Sequence, residues 1–343
     1  MKQRAHLGML DALRGAAALA VVLYHFSLPS GEMSRAHFPA LNSWFGQGYL
    51  GVHAFFVISG FVIPLSLWES GHTPAAIVGY LRRRAVRLVP PAYGSLLLVL
   101  LHWAAADLLV HHGVHLVGAV TARQLASNAL FVVPFTSASW INPVFWTLTV
   151  EFEFYLVVGL LFPLLFGVGR FWLFLAAHVA LVAVGLLPTA NVQNYFHYSA
   201  LFAMGGATLL FYKGRLQRPA YLAALLLFFG LAWLGLGPWK ASTGAATALA
   251  IAFLRVDHPV SRFLGRISYS VYLTHTVVGA VVCYGAARFW PLASDGQRAA
   301  VVGLGVAASL GFAALYHRWV EQPFHQRARR KSVKDRFSET TQA

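Results

Sequence analysis

The sequence predicts an all-α polytopic membrane protein built as a bundle of about ten transmembrane helices. Of its 343 residues 58% are hydrophobic and only 11% are charged, whereas a soluble domain carries roughly 25% charged residues. The apolar residues also recur in stretches long enough to cross a bilayer, which takes about 20 residues. This composition excludes a soluble globular enzyme and a disordered chain. The single cysteine, Cys283, excludes a disulfide-stapled secreted scaffold.

Ten apolar stretches along the chain are predicted to cross the membrane. An eleventh stretch, residues 125–135, is too short to cross and follows Arg123. We expect it to form a short re-entrant or interfacial helix. The predicted spans are residues 7–28, 47–68, 89–110, 144–166, 171–188, 197–212, 219–237, 241–256, 268–290 and 297–320.

The basic residues predict the orientation of the bundle. Ten crossings put both ends of the chain on one side, and 20 of the 26 Lys and Arg residues fall on that side against 5 on the other, with Arg14 inside the first span. Positive residues collect on the cytoplasmic side of membrane proteins, so both termini are predicted to be cytoplasmic. The net charge of +15 then indicates contact with anionic lipid headgroups, and no nucleic-acid partner is expected.

The predicted domain organisation is simple, because the loops between most spans are short. We predict one membrane domain over residues 1–321 and a short basic cytoplasmic tail over 322–343.

Three ionisable residues lie in the first predicted span, where each charge costs at least about 2.5 kcal/mol near the bilayer centre. At about 100° per residue, Arg14 and His25 share one helix face about 16 Å apart, with Asp11 about 60° to the side of Arg14. Asp11 and Arg14 alone also fit a structural ion pair at spacing i, i+3. All three together favour a water-accessible functional face.

Two further spans carry ionisable residues that are candidates for function. Glu151 and Glu153 stand two residues apart and point about 200° away from each other, so they cannot form one catalytic pair. Glu151 and His25 both lie near the outer ends of their spans and are predicted to share a depth. His275 is predicted about 10 Å from the cytoplasmic end of its span, at the level of Arg14.

A cluster of four arginines is predicted to lie in a cytoplasmic loop, residues 82–93, that ends in a proline pair. It fits either an ordinary positive-inside loop or an anion site. Guanidinium groups bind phosphate bidentately, and Arg84 and Arg87 are spaced to share a helical face.

Glycines at 46, 48, 51 and 60 predict close helix packing along residues 46–61. No metal site is expected, because His111, His112 and His115 cluster only in a predicted outer loop.

Six motifs in order along the chain resemble acyltransferase family 3, the bacterial membrane acyltransferases that modify surface polysaccharides and some small glycosylated molecules. They reach from Leu10 to Phe324. The position of His53 is often an aspartate in the family, so the function of that carboxylate is missing or replaced here. The motifs are LDALRGAAALAVVLYH, GVHAFFVISGF, RRAVRLVPPAY, FWTLTVEFEFYL, LGRISYSVYLTH and VEQPF.

The resemblance implies transfer of an acyl group, with acetyl favoured, from acyl-coenzyme A to a hydroxyl of a cell-surface or lipid-linked carbohydrate. It also implies a location in the bacterial cytoplasmic membrane. His25 would be the general base, since an imidazole takes a proton near neutral pH. The predicted catalytic residues are His25, Arg14, Glu151 and Asp11; those for the donor are Arg83, Arg84, Arg87 and Tyr93; those for the substrate are Trp146, Tyr155 and His275.

Two alternatives stay open. The first is acylation of a small glycosylated metabolite at the cytoplasmic face. The second, from another class, is a proton-coupled transporter, since buried Arg, Glu and His also form proton relays. The arginine cluster favours an enzyme, because a proton-coupled carrier has no need of a cytosolic phosphate clamp.

Overall fold

The structure, a computed structural model, describes residues 2–28, 39–109, 115–167, 169–187 and 193–328. Within these ranges the secondary structure is helical and no strand occurs. The helices are α1 (Lys2–Ser27), α2 (Pro39–Phe45), α3 (Leu50–Glu69), α4 (Ile77–Leu109), α5 (Ala122–Ala129), α6 (Trp146–Phe166), α7 (Phe171–Gly185), α8 (Tyr195–Tyr212), α9 (Arg218–Leu236), α10 (Pro238–Phe253), α11 (Pro259–Phe289) and α12 (Asp295–Tyr316).

Each of the ten predicted spans coincides with a helix. Seven helical stretches in the described part of the chain are long and apolar enough to cross a membrane, as a multi-pass membrane protein requires. The helices at the other three predicted spans, α7, α8 and α10, have 15, 18 and 16 residues. Ten crossings and cytoplasmic termini therefore stay predictions.

The prediction that residues 82–93 form a loop is wrong, because the whole segment belongs to α4. Four arginines precede the apolar stretch, so hydropathy put the start of the predicted span at residue 89. The helix instead continues through Pro90 and Pro91, and the neighbouring turns are anchored by two tyrosines. The hydroxyl of Tyr269 on α11 donates to the Leu88 carbonyl at 2.9 Å, and that of Tyr316 on α12 donates to the Pro91 carbonyl at 2.5 Å.

The segment 125–135 is not one helix. It contains the end of α5 and a separate 3-10 turn, Val133–Phe135, and the break falls at Phe131, whose φ is +57°. A buried side chain, Asn128, fixes the loop that follows by donating to the Ser139 carbonyl at 3.0 Å and accepting from the Ile141 N–H at 2.8 Å. The segment is short, as predicted, and its depth in the membrane stays a prediction.

The chain divides into two compact units. The first comprises residues 1–19, 49–78 and 146–266, with α8 in contact with α3, α6, α7, α9 and α10. Helix α8 is buried on nearly every side, as expected of a helix that is apolar all round.

Glycines let α3 approach α8 closely in this first unit. A Cβ added to Gly60 would overlap the Phe202 carbonyl, and one added to Gly205 would overlap the Val57 carbonyl. The predicted close packing is confirmed at Gly60.

The second unit comprises residues 20–48, 79–145 and 267–343. After α12 the chain makes a π-helical turn, His317–Glu321, and then continues as a helix to residue 328. The first part of the predicted tail is therefore helical, and residues 329–343 lie outside the described residues.

Gly60→Ala is expected to destabilise the protein by about 1–3 kcal/mol, because the added methyl forces two backbones apart. The matched control is Gly230→Ala on α9, whose Cβ would meet nothing within 4 Å. Thermal unfolding of both variants in detergent measures the difference. Equal melting temperatures would contradict the close approach.

Candidate active site

Two histidines distant in sequence form a hydrogen-bonded pair in the second unit. His25 lies near the end of α1 and His275 lies on α11. His25 Nδ1 is 3.0 Å from His275 Nε2, and the two ring centroids are 4.9 Å apart. His25 is half-buried, whereas the side chain of His275 is fully buried.

The position of His275 corrects its predicted depth. The sequence put His275 level with Arg14, far from His25, because the apolar span was taken to begin at residue 268. Helix α11 in fact begins at Pro259, nine residues earlier, which adds about 13 Å of helix before the span. His275 therefore lies beside His25.

Each ring also contacts backbone carbonyls of its own helix, in both cases through Nδ1. His275 Nδ1 is 3.1 Å from the Val271 carbonyl and 3.0 Å from the Tyr272 carbonyl. His25 Nδ1 is 3.0 Å from the Val21 carbonyl. Each ring is thus oriented by its own helix as well as by the other ring.

A buried asparagine anchors α11 next to the pair, and the sequence analysis missed it. The Asn142 side chain is fully buried. It donates to the Leu273 carbonyl at 3.2 Å and to Ser95 Oγ on α4 at 3.3 Å. Burying an amide costs free energy unless it is hydrogen-bonded, so these bonds fix the segment before α6 against α4 and α11. The available signal was an asparagine two residues before the predicted span 144–166, in the sequence INPVF.

A second buried network lies one turn before His275 on α11. Ser270 Oγ donates to Glu321 at 2.6 Å, and His317 Nδ1 lies 2.9 Å from the same carboxylate. Glu321 belongs to the VEQPF motif but was not among the predicted site residues. The π-helical turn places its carboxylate against α11.

The predicted donor-binding arginines lie on the N-terminal part of α4. The Arg84 guanidinium lies over the Tyr80 ring, 5.5 Å from its centroid, and Arg83, Arg84 and Arg87 are half-buried. Because they stand on a helix, Arg84 and Arg87 share a face as predicted.

Tyr93, also predicted to bind the donor, is exposed. Its hydroxyl donates to the Ala129 carbonyl at 2.9 Å, and its ring stacks on Phe131 with centroids 6.4 Å apart. Its predicted contact with the donor stays a prediction.

In the first unit, Asp11 interacts electrostatically with more residues than its predicted partner Arg14 on α1. It interacts with Arg14 and also with Arg262 and Arg266 on α11. The helices approach closely there, since a Cβ added to Gly265 would meet the Asp11 Cα at 2.5 Å. With Asp257 nearby as well, the i, i+3 pair is part of a larger charged cluster of three arginines and two carboxylates.

The two glutamates of α6 have different partners, as their opposite directions predicted. Tyr155 donates its hydroxyl to the Glu151 carboxylate. Glu153 accepts from the Tyr195 N–H at 2.5 Å, at the start of α8, where a carboxylate satisfies one of the unpaired N–H groups of a helix N-terminus. Glu153 thus has a structural explanation, and Glu151 remains the candidate for chemistry.

The residues predicted to contact substrate differ in exposure. Trp146 is half-buried and packs against Phe56 and Tyr198 with centroids 6.2 and 5.7 Å away. Tyr155 and His275 are buried and hydrogen-bonded to predicted catalytic residues. A direct substrate contact for these three residues stays a prediction.

His53, which stands where the family often has an aspartate, is buried in the same aromatic region of the first unit. Its ring centroid lies 6.0 Å from that of Tyr49, 6.4 Å from that of Phe56 and 5.9 Å from that of Tyr198. His111 and His112 lie outside the described residues.

Comparison with known proteins gives several relatives, of which three are described. The chain is 28% identical to the peptidoglycan O-acetyltransferase OatA of Listeria monocytogenes over 45% of this chain and 24% of that protein. It is 24% identical to a Staphylococcus aureus protein named as an O-acetyltransferase over 95% of this chain and 58% of that protein. It is 28% identical to nodulation protein 10 of Rhizobium leguminosarum over 66% of this chain and 71% of that protein.

The chain thus spans only part of the length of the first two relatives, and no solved structure matches it. The acyltransferase domain that defines acyltransferase family 3 matches residues 8–318. Because this match covers nearly the whole sequence, and because the motifs around His25, Glu151 and His275 lie within it, the chain belongs to acyltransferase family 3.

Proposed function

We propose that this protein is an integral-membrane O-acyltransferase of the bacterial cytoplasmic membrane. It transfers an acyl group, with acetyl favoured, from cytosolic acyl-coenzyme A to a hydroxyl of a cell-surface or lipid-linked carbohydrate. The hydrogen-bonded pair of His25 and His275 carries the proposal. Two relatives carry O-acetyltransferase names, and one of those names specifies peptidoglycan.

The chemistry requires a base for the acceptor hydroxyl. His25 takes the hydroxyl proton as the hydroxyl oxygen attacks the thioester carbonyl, and it returns that proton to the thiolate that leaves. The products are an ester and a free thiol, and His25 ends as it began. General-base catalysis of this kind contributes about 10²–10⁴-fold. The Val21 carbonyl and His275 orient the His25 ring, and this fixed orientation supports its role as the base.

The donor is a substrate that carries phosphate groups, and the arginines of α4 fit them. Three half-buried guanidinium groups stand within two helical turns, and Arg84 is held against Tyr80. Guanidinium groups bind phosphate through paired charge-assisted hydrogen bonds. We assign Arg83, Arg84 and Arg87 to the phosphates of the donor, with Tyr93 beside them on α4, and Arg14 to the path of the acyl arm.

On the acceptor side we assign Glu151 to the sugar hydroxyls. Its carboxylate is half-buried and oriented by Tyr155. Trp146 offers an aromatic face of the kind that packs well against a sugar ring.

Loss of Arg84 and Arg87 is expected to weaken coenzyme A binding about 10²- to 10⁴-fold, because two charge-assisted hydrogen bonds together contribute about 3–6 kcal/mol. Calorimetric titration of coenzyme A into the purified protein in nanodiscs measures the change in Arg84→Ala plus Arg87→Ala. The control, Arg215→Ala plus Arg218→Ala, removes two cations from α9 and the turn before it. No binding by the intact protein, with no loss of function in Arg84→Ala plus Arg87→Ala, would favour the transporter.

His25→Gln is expected to reduce acyl transfer at least about 100-fold while coenzyme A affinity stays unchanged, because Gln cannot act as a base at this position. Mass spectrometry of surface glycans from cells that carry each variant in place of the native gene measures transfer. The control is His258→Gln, since His258 is exposed. Retained transfer in His25→Gln would remove His25 as the base.

A further inference from the structure

The hydrogen bonds around the histidine pair determine which nitrogen of His25 is able to act. A neutral imidazole has one N–H donor and one bare nitrogen that accepts, and a backbone carbonyl only accepts. His275 Nδ1 faces the Val271 and Tyr272 carbonyls at 3.1 and 3.0 Å. Its proton must therefore lie on Nδ1, which leaves His275 Nε2 as an acceptor.

The same reasoning extends to His25. Its Nδ1 lies 3.0 Å from His275 Nε2 and 3.0 Å from the Val21 carbonyl, and both of these partners accept. His25 Nδ1 must therefore donate, so its proton is fixed there. His25 Nε2, at the opposite side of the ring, keeps its lone pair.

We propose that His275 is a positioning residue that holds His25 in the tautomer with a bare Nε2, so that this atom receives the acceptor's proton. The inference rests on the proposed function for its catalytic consequence, and on geometry alone for the tautomer. His275 is fully buried, so it acts through His25. It takes the place that a carboxylate occupies behind the histidine of a Ser-His-Asp triad, where the third group fixes the tautomer.

The burial of His275 explains why a neutral partner suffices. A carboxylate behind His25 would bring a charge into the apolar bundle, which costs free energy that a neutral ring does not. An imidazole supplies the same accepting lone pair without a charge, and two carbonyls of its own helix set its orientation. Asn142, bonded to the Leu273 carbonyl, holds that part of α11 in place.

The test compares two amides at position 275. In His275→Gln the terminal amide oxygen reaches about as far as the lost Nε2 and still accepts from His25. In His275→Asn it reaches only about as far as Nδ1, so His25 loses its partner. We expect kcat to fall about 10²- to 10⁴-fold in His275→Asn, by analogy with loss of the tautomer-fixing group in serine proteases. His275→Gln should stay within about tenfold of the native kcat, a rescue in line with one retained neutral hydrogen bond. KM for the acyl donor is expected to stay unchanged in both variants.

Nitrogen-15 solid-state NMR of histidine-labelled protein in nanodiscs reads the tautomer directly, with the His25 signals assigned by their loss in His25→Gln. We expect His25 to show a protonated Nδ1 and a bare Nε2 in the native protein and in His275→Gln, and to lose this preference in His275→Asn. The control is His178→Asn. His178 is also buried, with its Nδ1 2.9 Å from the Phe174 carbonyl. Its substitution is expected to leave kcat and the His25 signals unchanged.

The outcomes separate the two proposals. A native His25 protonated at Nε2 overturns the inference, even if His275→Asn fails to fold. If His275→Asn loses the His25 tautomer but keeps full acyl transfer, the tautomer assignment stands. The proposal that His25 is the base is then overturned. An equal fall in kcat for Gln and Asn, with the His25 signals unchanged in both, overturns the positioning role.

Discussion

The cost of an unpaired polar group in an apolar interior governs this molecule. Each such group costs several kcal/mol where no water reaches it. The two buried polar side chains that position the candidate base, His275 and Asn142, both have hydrogen-bond partners. His275 has two carbonyls and His25, and Asn142 has the Leu273 carbonyl and Ser95. A ring held this way has few alternative positions, so the constraint that stabilises the bundle also orients the candidate base.

Hydropathy predicted where the helices lie but not where they begin. The length of an apolar stretch reflects the thickness of the hydrocarbon layer. A helix can extend beyond that layer for as long as its backbone hydrogen bonds continue. Helix α11 starts at Pro259 with the polar sequence PVSRFLGR, which lies outside any apolar window, so the depth of His275 was wrong. The arginine segment was misjudged for the same reason, since its charges lie outside any apolar window although α4 continues through them.

The residue types of the candidate site were readable from the sequence, but their pairings were not. His25 and His275 are 250 positions apart, and whether they meet depends on the rotation of α1 and α11, which a 3.6-residue period does not determine. The same holds for Glu153, whose partner is the Tyr195 N–H. The helical period did determine the relative directions of side chains within one helix. It showed that Glu151 and Glu153 face apart, and the structure gives each a different partner.

One short stretch of α11 links the arginine helix to the histidine pair. Tyr269 bonds α4 at the Leu88 carbonyl, Ser270 bonds Glu321, and His275 bonds His25. These anchors span about 9 Å of helix. Helix segments this short move as rigid pieces, because bending them would break i, i+4 bonds. Any displacement of α4 at Leu88 must therefore either break the Tyr269 bond or carry α11 with it. The arginines and the candidate base thus depend on the same two turns of α11, although they lie on different helices.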